Sequence, residues 1–138
     1  MIISDDENIS RVLREHRRIA MVGLSPNEQR PSNSVARYLL AHGYTVIPVN
    51  PGQREILGLE CHPSLDAIPT PVDMVDVFRS SADVPPIAAA AVRIGARSLW
   101  LQIGVINEAA AQQAAAAGLD VIMDRCPKIE HQRLCSDA

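Results

Sequence analysis

The chain of 138 residues lacks most of the signatures by which a sequence declares its chemistry. Aromatic residues make up only 3% of it, with one Trp, two Tyr and one Phe, which disfavours an aromatic-rich β-sandwich and leaves aliphatic residues and alanine to supply the 47% apolar fraction. No apolar run reaches the ~20 residues of a membrane span, and the opening MIISDDENIS lacks the basic-then-apolar plan of a signal peptide, so a cytoplasmic protein with no membrane partner is expected. The net charge of −3 carries no basic excess of the kind that marks a nucleic-acid binder. Cysteines number three, Cys61, Cys126 and Cys135, and an odd set in such a chain argues against a disulfide framework.

Two catalytic signatures are missing as well. A dinucleotide fold places G-x-G-x-x-G after its first strand, because the backbone must approach a pyrophosphate and the next helix must pack tightly; the stretch MVGLSPNEQRPS (Met21 to Ser32) has Gly23 alone. The nucleophile elbow G-x-S-x-G is absent too, since GLSPN lacks its second glycine and no histidine is placed to serve Ser25. His16 and His42 belong to the opposite edge of the expected sheet.

What remains is a regular grammar. Five apolar runs with β-branched content read as strands: IAMVGL (Ile19 to Leu24), TVIPVN (Thr45 to Asn50), VDMVDVF (Val72 to Phe78), SLWLQI (Ser98 to Ile103) and DVIM (Asp120 to Met123). Helices with polar or proline starts and glycine stops lie between them, from Pro31 to Gly43, from Asp83 to Gly95 and from Asn107 to Gly118. The alanine run Ala109 to Ala117 suits close packing on the sheet. Ser4 and Glu7 have capping-box spacing ahead of Ile9, Val12 and Leu13, which predicts an N-terminal helix within residues 1–18. The irregular stretch from Gly52 to Pro71 holds a short edge strand at LECH and a helical turn near SLDAI, and the extension over residues 127–138 adds a last helix. Alternation of this kind implies one α/β domain, a doubly wound Rossmann-like parallel sheet of about five strands with helices on both faces.

Ligands of open α/β sheets bind beyond the carboxyl ends of the strands. Arg30, Arg54, Arg79 and Arg125 all fall on that rim, as do two helix N-termini, and guanidinium forks and helix N-termini both favour phosphate. Asn50 and Pro51 stand where a nicotinamide site would need an acidic residue for the ribose. Cys126, His131 and Cys135 have zinc-like spacing without a fourth ligand, so no metal is expected. For Cys126 itself two readings stand open, a buried inert thiol or, beside Arg125, one able to form a mixed disulfide with a small thiol. Asp76, in a strand expected to be central, is read as a structural carboxylate holding neighbouring backbone N–H groups, and Trp100 as core packing or, at the crevice, a partner for an adenine ring.

The order VGLSPNEQRPS, VIPVNP, VDMVDVFR, LWLQIGVINEAA, VIMDRCPKIE, spanning roughly Ile19 to Leu134, resembles the small single-domain CoA-binding proteins, whose fold is similar to the nucleotide-binding domain of the succinyl-CoA synthetase α-subunit. The resemblance implies that Gly23, Leu24 and Ser25 with Arg30, Pro31 and Ser32 hold the phosphates. It implies that Asn50, Pro51, Phe78 and Arg79 line the adenosine side, that Gln102, Gly104 and Val105 border the pantetheine arm, and that Arg125 and Cys126 lie near its far end. In the ligase, catalysis draws a phosphorylatable histidine from another domain. The expected function is therefore non-catalytic binding of coenzyme A or an acyl-CoA, with no catalytic residue assigned. The other readings are an enzyme using NAD(P) or an acyl-CoA, and an interaction domain whose crevice is vestigial.

Overall fold

A computed structural model describes residues 1–135; residues 136–138, the end of the expected C-terminal extension, lie outside the described residues. The elements run α1 (Asp6–Glu15), β1 (Arg18–Val22), α2 (Pro31–Ala41), β2 (Thr45–Val49), β3 (Glu55–Ile56), β4 (Leu59–Glu60), β5 (Met74–Val77), α3 (Val84–Arg93), β6 (Ser98–Leu101), α4 (Glu108–Ala116), β7 (Asp120–Ile122) and α5 (Pro127–Leu134), with 3-10 turns at Leu65–Ala67 and Ser81–Asp83. Strands β2, β1, β5, β6 and β7 form one sheet in that spatial order, every pair parallel. This is the doubly wound α/β arrangement expected from the alternation. LECH contributes β4, but to a separate hairpin with β3 that reaches the sheet through a bridge between Val49 and His62.

Each strand of the five-stranded sheet is buried on both faces, so its side chains divide between two cores. Ile19, Met21, Met74, Trp100 and Ile122 face α1, α2 and α5, where Ile9, Leu13, Val35 and Leu39 meet them. Ala20, Val22, Val75, Val77, Leu99, Leu101 and Val121 face α3 and α4. Ala110, Ala111 and Ala114 are the buried face of α4, and their short side chains let that helix lie close on the strands. Trp100 is fully buried, with its indole N–H donated to the Arg125 carbonyl at 2.8 Å; it belongs to the core and does not meet an adenine ring.

Local punctuation differs from expectation in two places. Asp5, not Ser4, caps α1, accepting the Asn8 N–H at 3.1 Å. Ahead of that helix, Ile2 bridges Val121 in parallel and Ile3 donates to the Val121 carbonyl at 2.8 Å, so the first residues cover the outer edge of β7.

The structural role expected of Asp76 falls instead to Asp73. Asp73, just before β5, accepts the backbone N–H groups of Arg17 and Arg18 at 3.1 and 3.0 Å and so ties the entry of β1 to β5. Asp76, between Met21 and Trp100 in the sheet register, is wholly buried, and among the described residues neither carboxyl oxygen has a hydrogen-bond partner. It therefore does not hold N–H groups. Burial alone pushes its carboxyl well above the ordinary carboxylate range, which favours the uncharged acid.

The sign of the pH effect follows. A carboxyl whose folded pKa is raised gives its stability in full below the unfolded value near 3.8, and that stability drains as pH rises toward the folded value. Asp76→Asn removes the titration. Chemical denaturation at about pH 5 and about pH 8 should show the wild type losing stability relative to the variant, by up to about 1.4 kcal/mol per pH unit within the window between the two pKa values. An unchanged difference would mean that the carboxyl ionises freely in the fold.

Candidate functional site

In the order β2-β1-β5-β6-β7 the chain leaves β1 toward one side of the sheet for β2 and resumes on the other side with β5. The switch point lies between β1 and β5, where the loops that follow them part and open a crevice. Gly23 sits there. Its N–H continues the ladder to the Val49 carbonyl at 2.9 Å, and its φ of +88° turns the chain out of the sheet. A Cβ at this position would stand 2.6 Å from the Phe78 carbonyl oxygen and 3.0 Å from the Arg79 Cδ. The single glycine is thus required by the approach of two protein loops, independently of any ligand.

The loop after Gly23 is held by side chains from its own neighbourhood. Ser32 Oγ accepts the Ser25 N–H at 3.0 Å, Asn33 donates to the Ser25 carbonyl at 2.9 Å, and Ser25 Oγ accepts the Asn27 N–H at 3.1 Å. From β2, Asn50 donates to the Leu24 carbonyl at 3.1 Å while its own oxygen accepts the Gly52 N–H at 2.9 Å. Both ends of the Asn50 amide are spent on the protein. Arg30 takes the N-cap position of α2 with no side-chain cap bond, Pro31 follows at the first turn, and among the described residues the exposed Arg30 guanidinium has no ion-pair or hydrogen-bond partner. A free cation therefore stands beside a helix N-terminus.

Three cavities line up along this edge. One of about 310 Å³ is bounded by Gly23, Ser25, Arg30, Pro31, Ser32 and Phe78. On the α3 side, one of about 380 Å³ takes Val22, Gly23, Val49, Pro51, Leu65, Arg79, Pro86 and Ile87 as walls, and Arg93 and Asp66 also line it as an ion pair at 2.8 Å. On the α2 and α5 side, one of about 470 Å³ lies among Pro31, Val35, Phe78, Gln102, Ile103, Val105, Cys126 and Ile129. Gly23 is common to the first two and Pro31 with Phe78 to the first and third, so the three adjoin along one groove. Each volume falls in the range of small-molecule sites.

Most of the residues named from the sequence meet in this groove, and five do not line it. Leu24 is buried beneath the loop, and Asn50 acts as its tether. Gly104 gives its N–H to Asp124 at 2.7 Å and so fixes the loop after β6 to the one after β7. Arg125 turns to Glu130, at 2.7 Å, and to the Ser4 carbonyl at 3.2 Å, which uses its cation within the α1 and α5 layer. Arg54 is exposed and lines none of the three cavities. Arg79 reaches the groove paired with Asp83 at 3.3 Å.

No histidine lines the three cavities. His16 Nδ1 lies 2.8 Å from Ser98 Oγ at the amino end of β6, its pKa lowered by burial and the nearby Arg97 cation. His131 pairs with the Tyr38 hydroxyl at 2.7 Å, and among the described residues no three His, Cys, Asp or Glu side chains gather as a metal site. No helix of the described residues is long and apolar enough to cross a membrane.

Sequence reasoning missed the α3 wall of the groove, Pro86 and Ile87, and the apolar wall Val35, Ile103 and Ile129. Ile103 is 60% and Ile129 49% exposed, a property that the sequence alone does not reveal.

A family model described as a CoA binding domain matches residues 17–132. The Bacillus subtilis protein YneT is 41% identical over 123 residues, covering 89% of this chain and 91% of its own. The crystal structure of Prb, a PH1109 protein redesigned for binding, superposes with a TM-score of 0.95 at 39% identity and covers 100% of this chain and 97% of that one. Acetate–CoA ligase [ADP-forming] I of Archaeoglobus fulgidus is 39% identical over 67 residues, 49% of this chain but only 10% of the ligase.

The crowding at Gly23 gives a direct test. Gly23→Ala combines a left-handed backbone with a contact against Phe78, and unfolding measurements should show a loss of about 2–4 kcal/mol. Gly95→Ala shares the positive φ but meets nothing within 4 Å, and should lose only about 1–2 kcal/mol. Equal losses would dismiss the close approach as the reason for glycine.

Proposed function

The chain belongs to the CoA binding domain family, and from that premise we propose that it binds coenzyme A or an acyl-CoA in the groove at the carboxyl ends of the strands, without turnover of its own. The observation that carries this reading is the continuity of the groove: a cationic, loop-lined middle flanked by two more apolar cavities. Coenzyme A has the same order of parts, with phosphates between an adenosine and a pantetheine arm. Ser25, Ser32 and the free Arg30 fit the pyrophosphate, where a guanidinium and a helix N-terminus both complement negative charge. Pro51 and Arg79 fit the adenosine side. Gln102, Val105 and Cys126, which line the apolar cavity toward α5, fit the pantetheine arm.

A nicotinamide reading finds less support. Recognition of the ribose by a carboxylate at the end of β2 has no candidate, because Asn50 stands there and both ends of its amide are engaged within the protein. The ligase relatives extend far beyond the segment they share with this chain, so their acyl-activating chemistry is theirs.

A ligand that binds only the folded state raises its stability by RT ln(1 + [L]/Kd), about 2.7 kcal/mol at a hundredfold excess over Kd. Coenzyme A under reducing conditions should give such a rise in thermal or chemical unfolding, and NADH should give none. Arg30→Ala should weaken coenzyme A about tenfold, corresponding to about 1.4 kcal/mol, and flatten the salt dependence. No stabilisation by coenzyme A or acetyl-CoA would overturn the reading, and a response to NADH alone would favour an NAD-using enzyme.

A further inference from the structure

The strands have a second rim, at their amino ends, and a cavity of about 330 Å³ opens there between α1 and the carboxyl ends of α3 and α4. It shares no lining residue with the three cavities of the groove. Arg11, Arg97 and His16 carry its chemistry. Arg97 is anchored at the entry to β6, its N–H donated to the Asp73 carbonyl at 2.8 Å and its carbonyl accepting the Asp120 N–H at 3.0 Å, so the guanidinium starts from a fixed point. Among the described residues that guanidinium makes no hydrogen bond, and its one ion pair is a loose one, with Glu15 at 3.6 Å and both side chains half exposed. The carboxylate of the wall, Asp120, is already answered by Arg11 at 3.1 Å and by the Met1 amine at 3.6 Å. Nor do the bordering helix ends oppose an anion with their last carbonyls: those of Ala90 and Ala91 accept the Ile94 and Ala96 N–H groups, and those of Ala114 and Ala115 accept the Leu119 and Gly118 N–H groups.

His16 gives an independent pointer to a ligand. It is 1% exposed, and its Nδ1 lies 2.8 Å from the Oγ of the fully buried Ser98. Among the described residues that hydroxyl has no other partner, so its hydrogen is used only by donation to Nδ1, which places the imidazole proton on Nε2. Nε2 has no hydrogen-bond partner among the described residues and yet is not sealed from solvent, so it opens on the cavity that the ring lines. A donor left without an acceptor at the wall of a polar cavity points to an acceptor that is to arrive there.

We propose that this cavity is a second ligand site, which binds a small oxyanion, a phosphate or carboxylate group, between the Arg97 guanidinium and the His16 Nε2–H. The guanidinium supplies charge and a planar fork, and the imidazole supplies one oriented donor. At the ring, burial and the Arg97 and Arg11 cations lower the pKa of His16, while Asp73 and Asp120 pull the other way. An anion beside Nε2 adds to the second set, so binding raises the His16 pKa and tightens as pH falls.

The experiment is NMR titration of the isotopically labelled protein with sodium phosphate and, separately, sodium acetate, at an ionic strength held constant with chloride. The His16 ring and the Arg97 Nε–H are the probes. Saturable shifts at both, with a raised His16 pKa, are expected for at least one of the anions, and whether acetate acts as phosphate does tells a carboxylate site from a phosphate one. Arg97→Gln should weaken binding about tenfold, as loss of a charge-assisted hydrogen bond does, while Arg54→Gln, on the opposite rim, should leave it unchanged. No saturable shift at His16, shifts confined to the Arg30 loop, or a His16 shift that Arg97→Gln leaves intact would each overturn the proposal. The coenzyme A reading stands apart from it: failure of coenzyme A to stabilise the protein leaves these shifts in place, and their absence leaves that reading untouched.

Discussion

The parallel register of β1 with β2 on one side and β5 on the other is the constraint from which the rest follows. Parallel strands send every following loop out of the same edge, and the reversal of direction at β1 makes the loops beside it separate. The cost is crowding at the root of the crevice, where the backbone leaving β1 must pass the carbonyl of Phe78. Gly23 resolves that contact. Everything placed on the rim, from Ser25 to Arg30 and from Phe78 to Asp83, inherits its position from this close passage.

Above that root, the protein spends much of its polar chemistry on holding its own loops. Ser32, Asn33 and Asn50 tether the first loop; Ser81 Oγ accepts the Ile106 N–H at 2.9 Å, and Asn107 reaches the Ser81 carbonyl at 3.2 Å, joining the loops after β5 and β6; Asp124 holds Gly104. Such pinning spares a ligand the entropy of ordering the loops on binding. It also singles out what is left over. Among the described residues the Arg30 cation and the buried Gln102 Oε1 have no protein partner, and the two residues line adjoining cavities. A site is most informative in the groups its own framework leaves unsatisfied.

Much of this was legible in the sequence because the strands are buried on both faces and the helices end at glycine. Val72 to Phe78 reads as a strand from its apolar run, and Pro31 and Gly43 bracket a helix, whatever packs against them. The rim residues were legible for the same reason, since knowing where each strand ends locates its loop. What escaped depends on neighbours distant in sequence. Asp73 finds the N–H groups of Arg17 and Arg18 only because β5 lies against β1, and Asp76 is unpartnered because Met21 and Trp100 flank it in the register. No local pattern separates these two aspartates, three positions apart on one segment. Arg125 escaped for a nearer reason: Glu130 is brought within 2.7 Å only once α5 has turned.

The two faces of the sheet also divide the labour of the groove. Toward α3, Leu65, Ile87 and Ala90 give a shallow apolar wall closed outside by the Arg93–Asp66 pair. Toward α2 and α5 the wall is apolar apart from one amide and one thiol, and it is built on a helix that α1 clamps: Arg133 of α5 bonds both oxygens of Asp6 at 2.9 and 2.7 Å while also reaching Glu130. Burial alone would push Glu130 upward, yet hydrogen bonds from Arg133 and Arg125 hold it below the usual carboxylate value, so the clamp stays charged. The Arg125 that sequence position assigned to a ligand thus serves the groove at one remove. It fixes the first turn of α5, and with it the position of the thiol at that helix's N-cap.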